Sequence, residues 1–350
     1  MDLLNQLESI EGLRPVDRTV SAQAVSPSDN GVLKYPVYFP PVDVKSTRLS
    51  EITIDTYRPT ASRREWNGPD RLIPLRTPGA SDLNMIPIGD YFSLGEEELQ
   101  RHEEMSGGEE AAILRDLGAD IPSRTDGLIE AAYRRVEVDA HTLWAMGKVV
   151  QDDPTTGHTV ETDFGYDPDR LQDASATPWT GANFTANLIG WLRDAKAAIG
   201  GSLGGVMLSE TKRRLALSSY VFPAGITPSY AYIEGQIADA VGVASFRFVM
   251  NDDTLDLPVD GGTQFSNGRV WPINYLAAIP ADGKIGRTAR APIAGLGALS
   301  RQFPGAQLNR NGALIAYSRL NDGKGVKVRG QLHHMSIPNG RRVYSINVGA

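Results

Sequence analysis

Ten of the 22 prolines of this chain fall within its first 95 residues, from Pro15 to Pro87, and this constrains the fold most. Proline removes a backbone donor and interrupts continuous helix, and residues 14 to 92 show little helical periodicity, so the region is predicted to be extended. Compact domains seldom contain connections longer than about 15 residues without structure of their own. The run VLKYPVYFPPV and the alternation Glu51, Ile52, Thr53, Ile54, Asp55 are too apolar and too strand-like for a solvated tail. The expected arrangement is an arm over residues 1–48, ordered by lying across other subunits, then an extended two-stranded loop over residues 49–92. In that loop Leu49 to Tyr57 runs out, Leu83 to Phe92 runs back, and Arg58 to Ala80 form the tip. A lone two-stranded ribbon is marginal in water, so its order is expected to come from a neighbour. At the start of the arm, Leu3, Leu4, Leu7 and Ile10 share one helical face, and the acids there replace the bases of a secretory signal.

From Ser93 the pattern becomes helical. Ser93 and Glu96 fit a capping box, with breaks expected at Gly107-Gly108 and near Ile121-Pro122-Ser123. A long helix from about Thr125 to Lys148 puts Ile129, Ala132, Val136, Ala140 and Leu143 on one face. A hairpin is predicted to pair Lys148–Gln151 with His158–Phe164. After Trp179 a second helix spaces Phe184, Leu188, Leu192, Ala195 and Ile199 by three and four. Strand and helix signals then alternate through 205–208, 210–218, 229–241, 244–250 and 270–279. At the end, Val326–Met335 and Arg342–Val348 read as strands joined across Pro338-Asn339-Gly340.

Composition narrows the classes of function. With no cysteine, neither disulfides, thiolate metal sites nor thiol catalysis are available. No apolar run approaches the roughly 20 residues that span a bilayer, so no membrane partner is expected. A net charge of -7 argues against a chain that grips DNA, though a wall enclosing DNA is compatible with it. The charge is uneven: residues 96–150 hold 6 bases against 13 acids, while the remainder is balanced.

Each chemical motif has a simpler explanation. Gly200-Gly201-Ser202-Leu203-Gly204 matches G-x-S-x-G, but a helix precedes it and a strand follows, the reverse of a nucleophile elbow. A glycine stop after the helix is the expected role. Asp163-Phe164-Gly165 stands without the rest of a kinase, and no P-loop spacing occurs. None of the five histidines sits in an H-E-x-x-H frame, and His333 and His334 should point to opposite faces of a strand. No catalytic residue, metal ligand or cofactor is expected.

The residues singled out are instead contact residues. The ribbon tip carries Arg58, Arg63, Arg64, Arg71 and Arg76 against Glu65 and Asp70, with Trp66 as an aromatic anchor. Glu96, Glu97, Glu98, Glu109 and Glu110 offer the opposite charge, on segments that an outward ribbon reaches more readily in a neighbouring subunit. Exposed ion pairs contribute at most about 1 kcal/mol each, so they set register, and burial of Trp66 and the apolar arm supplies the affinity.

Three segments, AAYRRVEVDAHTLWAMGKVV with TVETDFGY, TPWTGANFTANLIGWLRDA from Thr177, and VWPINYLAAIPADGKIGRT, resemble in order and character the lambda-type major capsid proteins of tailed bacteriophages, the capsid protein E group. The resemblance implies an α+β Hong Kong 97-like fold. Its parts would be an arm (1–48), extended loop (49–92), spine helix with the first part of a peripheral domain (93–182), axial domain (183–300) and closing strands of the peripheral domain (301–350). It further implies a structural subunit with no enzyme activity, forming hexamers and pentamers of an icosahedral head assembled in the host cytoplasm through a procapsid. The implied partners are a portal, a separate scaffolding protein, a decoration protein and enclosed double-stranded DNA bound without sequence specificity. Related shells are crosslinked through a loop lysine, but no lysine lies between Lys45 and Lys148 here. An encapsulin-type shell and a serine hydrolase using Ser202 are the competing readings.

Overall fold

The computed structural model describes residues 7–8, 11–25, 33–53, 79–85, 87–95, 100–101, 104, 110–153, 158–164, 166–259, 264–303, 306, 308–320 and 325–349. In chain order the first elements are helix α1 (Pro15–Ala24), the single turn α2 (Tyr35–Tyr38), and strands β1 (Pro41–Asp43), β2 (Arg48–Thr53), β3 (Gly79–Asn84) and β4 (Ile88–Leu94). The long helix α3 (Glu110–Met146) leads to β5 (Lys148–Asp153), β6 (His158–Asp163) and β7 (Leu171–Asp173). Next come α4 (Phe184–Ile199), β8 (Leu203–Leu208), α5 (Glu210–Ser219), α6 (Tyr230–Val241), β9 (Arg247–Met250), β10 (Thr254–Val259), β11 (Gln264–Arg269) and β12 (Tyr275–Pro280). The chain ends with β13 (Gly286–Arg290), α7 (Ala294–Gln302), β14 (Leu314–Arg319), β15 (Val326–Leu332), β16 (His334–Pro338) and β17 (Ser345–Asn347).

A five-stranded sheet, ordered β7-β17-β12-β8-β9, forms the middle layer of the larger half. Strand β8 reads as an almost unbroken apolar run because both of its faces are covered. Val206 and Leu208 pack with Phe184, Leu188, Leu192, Ile233 and Ile237 of α4 and α6. Met207, on the other face, joins Trp144, Trp271 and Ile279 beneath the end of α3. A second core lies where Ile121 and Ile129 of α3 meet Leu94, Ile315, Val328 and Leu332 of the β14-β15-β4 sheet. The predicted face of α3 is buried as expected: Ile129, Ala132, Val136, Ala140 and Leu143 are all at most 4% exposed.

The β5–β6 hairpin, the helix after Trp179 and the alternating elements that follow also form where the sequence places them. Gly200 caps α4 with φ +69°, so the glycine run is a helix stop, and Ser202 is exposed on the way into β8.

Several expectations are corrected. Residues 15–24 are helical rather than extended, because Pro15 occupies the first turn, where its missing N–H is not needed. The described part of the arm packs against its own chain. Leu7, Leu13 and Ala22 pack into the α3 core, Phe39 packs beside Trp144, and β1 pairs in parallel with β13. Apolar burial against its own chain already satisfies this segment.

The return strand of the ribbon is divided: residues 79–84 pair with β2, whereas 88–94 leave it for β15. Ser93 therefore lies opposite Lys327 in a strand and caps no helix. The break near Pro122 does not occur. With Ile121 fully buried, packing of α3 outweighs the one hydrogen bond that proline forfeits. Finally, the closing strands do not form a hairpin with each other. β15 pairs with β14 and β4, β16 with β13, and β17 with β12 and β7.

Candidate functional site

The expected contact residues are not brought together by what the structure describes. Arg58, Arg63, Arg64, Trp66, Arg71 and Arg76, together with Glu96, Glu97, Glu98 and Glu109, lie outside the described residues, as do Leu3, Leu4, Ile10 and the Gly107-Gly108 step. Glu110 begins α3. The base of the ribbon is described. β2 and β3 pair antiparallel from Arg48 opposite Asn84 to Thr53 opposite Gly79, and neither pairs with a third strand among the described residues. β10 and β11 form a second such two-stranded sheet.

An uncharged stretch runs from Leu215 to Ile233, and its centre is the connection between α5 and α6. The rings of Tyr220, Phe222 and Tyr232 pack on one another at 4.9, 6.0 and 5.8 Å, which stiffens the connection. Val221 is nonetheless 89% exposed, and Ile226 is exposed as well. A rigid apolar tip held out in water marks a contact surface more than a core.

The most elaborate polar arrangement is buried. The Glu137 carboxylate, 1% exposed, accepts from the backbone N–H of Tyr35 at 2.7 Å and of Lys34 at 3.0 Å, so it caps α2 from α3. His141, one turn further along, sits among the rings of Tyr38, Trp144 and Trp271. Its Nδ1–H donates to the Glu137 carbonyl at 2.9 Å, and its Nε2 accepts from Asn251 Nδ2 at 3.1 Å. Those partners require a neutral ring, and burial accordingly holds its pKa below the ordinary histidine value. Asn251 Oδ1 in turn accepts from Lys34 Nζ at 3.3 Å, and Lys34 pairs with Asp253 at 2.6 Å. The sequence singled out His141 only as one of five histidines without a metal-binding frame, and Glu137, Lys34 and Asn251 not at all. The available signal was a glutamate and a histidine four apart within the helix that carries the Val136, Ala140, Leu143 face.

Of the other residues weighed as chemical candidates, His102 lies outside the described residues. His333 bonds to the Pro292 carbonyl, and His334 faces the Asn311 carbonyl and the Tyr133 ring, so the two diverge as expected for neighbours in an extended segment. Phe164 stacks on Tyr166. Among the described residues no group of three or more His, Asp or Glu is placed to hold a metal, and no helix is long and apolar enough to cross a membrane.

An arm and ribbon leading to a long helix, a helix-covered five-stranded sheet and a smaller antiparallel sheet make up the phage capsid fold. The structure of the putative capsid protein of a prophage of E. coli CFT073 matches with a TM-score of 0.54 at 13% identity, covering 99% of this chain and 98% of that one. A phage-related protein of Bordetella bronchiseptica RB50 matches with a TM-score of 0.46 at 15% identity, covering 95% of both chains. A virus-like particle from Pyrococcus furiosus matches with a TM-score of 0.42 at 9% identity, covering 94% of this chain and 96% of that one. The first match carries the fold assignment. No family model matches the sequence, and no curated protein matches it.

Proposed function

We propose that this chain is the major structural subunit of a tailed-phage head, assembling with copies of itself into hexamers and pentamers of an icosahedral shell around double-stranded DNA. The observation that carries this reading is the correspondence of the fold, over nearly the whole chain, with a capsid protein. Two features of the subunit support it. The β2–β3 ribbon has no third strand among the described residues, and two-stranded ribbons are marginal alone, so a neighbouring copy is a natural support. The tip between α5 and α6 is apolar and uncharged, which suits contact between identical chains about a rotation axis, where each charge would meet its own copy.

On this reading the basic ribbon tip (Arg58, Arg63, Arg64, Trp66, Arg71, Arg76) meets the acidic residues Glu96–Glu98, Glu109 and Glu110 of the next subunit. The subunit acts as a wall and not as an enzyme. Its other partners are a portal, a separate scaffolding protein, a decoration protein and DNA held without sequence readout, and its destination is the virion by way of the host cytoplasm.

Negative-stain electron microscopy of the purified chain, expressed with its genomic neighbours, tests the reading. Closed shells or isolated rings of five and six support it, and a monodisperse monomer under those conditions defeats it. Shells that copurify with a cargo peptide instead of DNA would indicate an encapsulin-type compartment. Reversing Arg63 and Arg64 to glutamate should impair assembly and alter its salt dependence. Unchanged assembly would remove the ribbon tip from the interface.

A further inference from the structure

The bonds around Glu137 and His141 close into a circuit drawn from three separate parts of the chain. Glu137 on α3 accepts from the backbone of Lys34, whose ammonium reaches Asn251 Oδ1. Asn251 Nδ2 donates to His141, and His141 Nδ1–H donates back to the Glu137 carbonyl. Asn251 is itself fixed to the five-stranded sheet, because its N–H donates to the Leu208 carbonyl at the end of β8. The N-terminal segment is held further by Tyr38 and Phe39, whose rings lie 5.0 and 6.4 Å from that of Trp144.

Glu137, His141 and Asn251 are each at most 1% exposed, so opening the circuit leaves buried polar groups without partners instead of returning them to water. Removing the Lys34–Tyr35 backbone from Glu137 strands a carboxylate beneath aromatic rings. Removing Asn251 leaves His141 Nε2 facing the same rings, and takes one of its two partners from the lysine that tethers the segment. Networks of this kind are costly when half satisfied and rigid when complete.

We propose that this circuit is a strap lock. Residues 33–43 cross α3 as a strap, and the order of the strap is coupled to that of the β9–β10 connection through Glu137 and His141. Neither can leave α3 without loosening the other. The coupling lies within one chain and holds whether or not the shell reading is correct. By linkage it is reciprocal, which makes it measurable from both ends.

The test is amide hydrogen exchange, read by mass spectrometry on the full chain. Asn251→Leu should speed exchange about tenfold in the peptide covering residues 35–39, whose Val37 and Phe39 amides bond only within the strap. In the other direction, Glu137→Gln should speed exchange at Phe248 and Asn251, amides that Glu137 does not touch. Should either variant fail to fold, Asp253→Asn weakens only the half-exposed ion pair to Lys34, and a rise of about threefold at residues 35–39 is then expected. The proposal is overturned if each change stays within the segment that was mutated. It is equally overturned if exchange rises evenly across the chain, β14 and β15 included, or if Asp253→Asn leaves the strap unaltered.

Discussion

Thr19 and Ile315, 296 positions apart, exchange two hydrogen bonds: the threonine hydroxyl donates to the Ile315 carbonyl at 3.2 Å and accepts from the Ile315 N–H at 3.1 Å. Strand β14 is the edge of its sheet, and Ile315 is one of the groups that β15 does not satisfy. An edge strand needs its free polar groups covered, and here α1 covers them. Gln23, one turn on, accepts from the Asn309 N–H and donates to the Ala313 carbonyl, so α1 holds the start of β14 and the segment leading into it.

Thr19→Val keeps the shape and removes both bonds, leaving a buried N–H and carbonyl unpaired. The expected loss is about 1–3 kcal/mol, read as a lowered urea midpoint, with Thr19→Ser nearer the parent. A Thr19→Val midpoint equal to the parent's would mean that water reaches the edge and α1 is only loosely attached.

Gly205 lies in β8 where it runs beside β9. A Cβ there would stand 2.3 Å from the Arg247 carbonyl oxygen, with backbone on the other side of the contact. Gly205→Ala should push the two strands apart and cost about 1–3 kcal/mol, visible as a lower melting temperature. Gly201→Ala, with nothing within 4 Å, should be close to neutral. Equal effects from the two would show that the β8–β9 pair yields easily.

Acid should destabilise the subunit through its buried histidines. Burial, reinforced by Arg290, pushes the pKa of His334 down to about 4, although the Asn311 carbonyl partly opposes the shift. Below the ordinary value of about 6.5 the unfolded chain therefore takes up a proton that the folded chain refuses until near pH 4. Stability is complete above about pH 6.5 and falls as the pH drops, because the unfolded state binds more protons. From pH 7 to pH 5 this group alone should remove about 2 kcal/mol. His141 acts in the same direction. Denaturant titrations at the two pH values should show a smaller decline for His334→Gln than for the parent, and identical declines would place the sensitivity elsewhere.

A change at Val221 tests folding and the proposed assembly separately. Since the side chain is almost fully exposed, Val221→Asp should leave the subunit's stability within about 0.5 kcal/mol of the parent. Under the proposed function, in which the α5–α6 tip meets its own copies about a rotation axis, the same change brings five or six carboxylates together, so rings and shells should be lost. Normal shells from Val221→Asp would remove the α5–α6 connection from the assembly contacts.

The sequence by itself determined the elements whose periodicity agrees with their burial. The 129–143 face of α3, the α4 spacing through Phe184 and Leu188, and the glycine stop at Gly200 were legible because each follows from neighbours three or four residues away. Segment order was legible as a resemblance to capsid proteins, which likeness to a known family and not periodicity supplied. What only the tertiary structure decided depends on partners distant in the chain. Pro15 and Pro122 both lie in helices: the first stands where a donor is superfluous, and the second follows an Ile121 buried deeply enough to carry the helix through. Ser93 became a strand residue because β15, more than two hundred positions later, pairs with it, and no local signal encodes that pairing. The Glu137–His141 circuit belongs to the same class. All of its bonds but the one from His141 to the Glu137 carbonyl span more than one hundred residues, and a charge on an apolar helix face becomes favourable only once Lys34, Tyr35 and Asn251 have been folded against it.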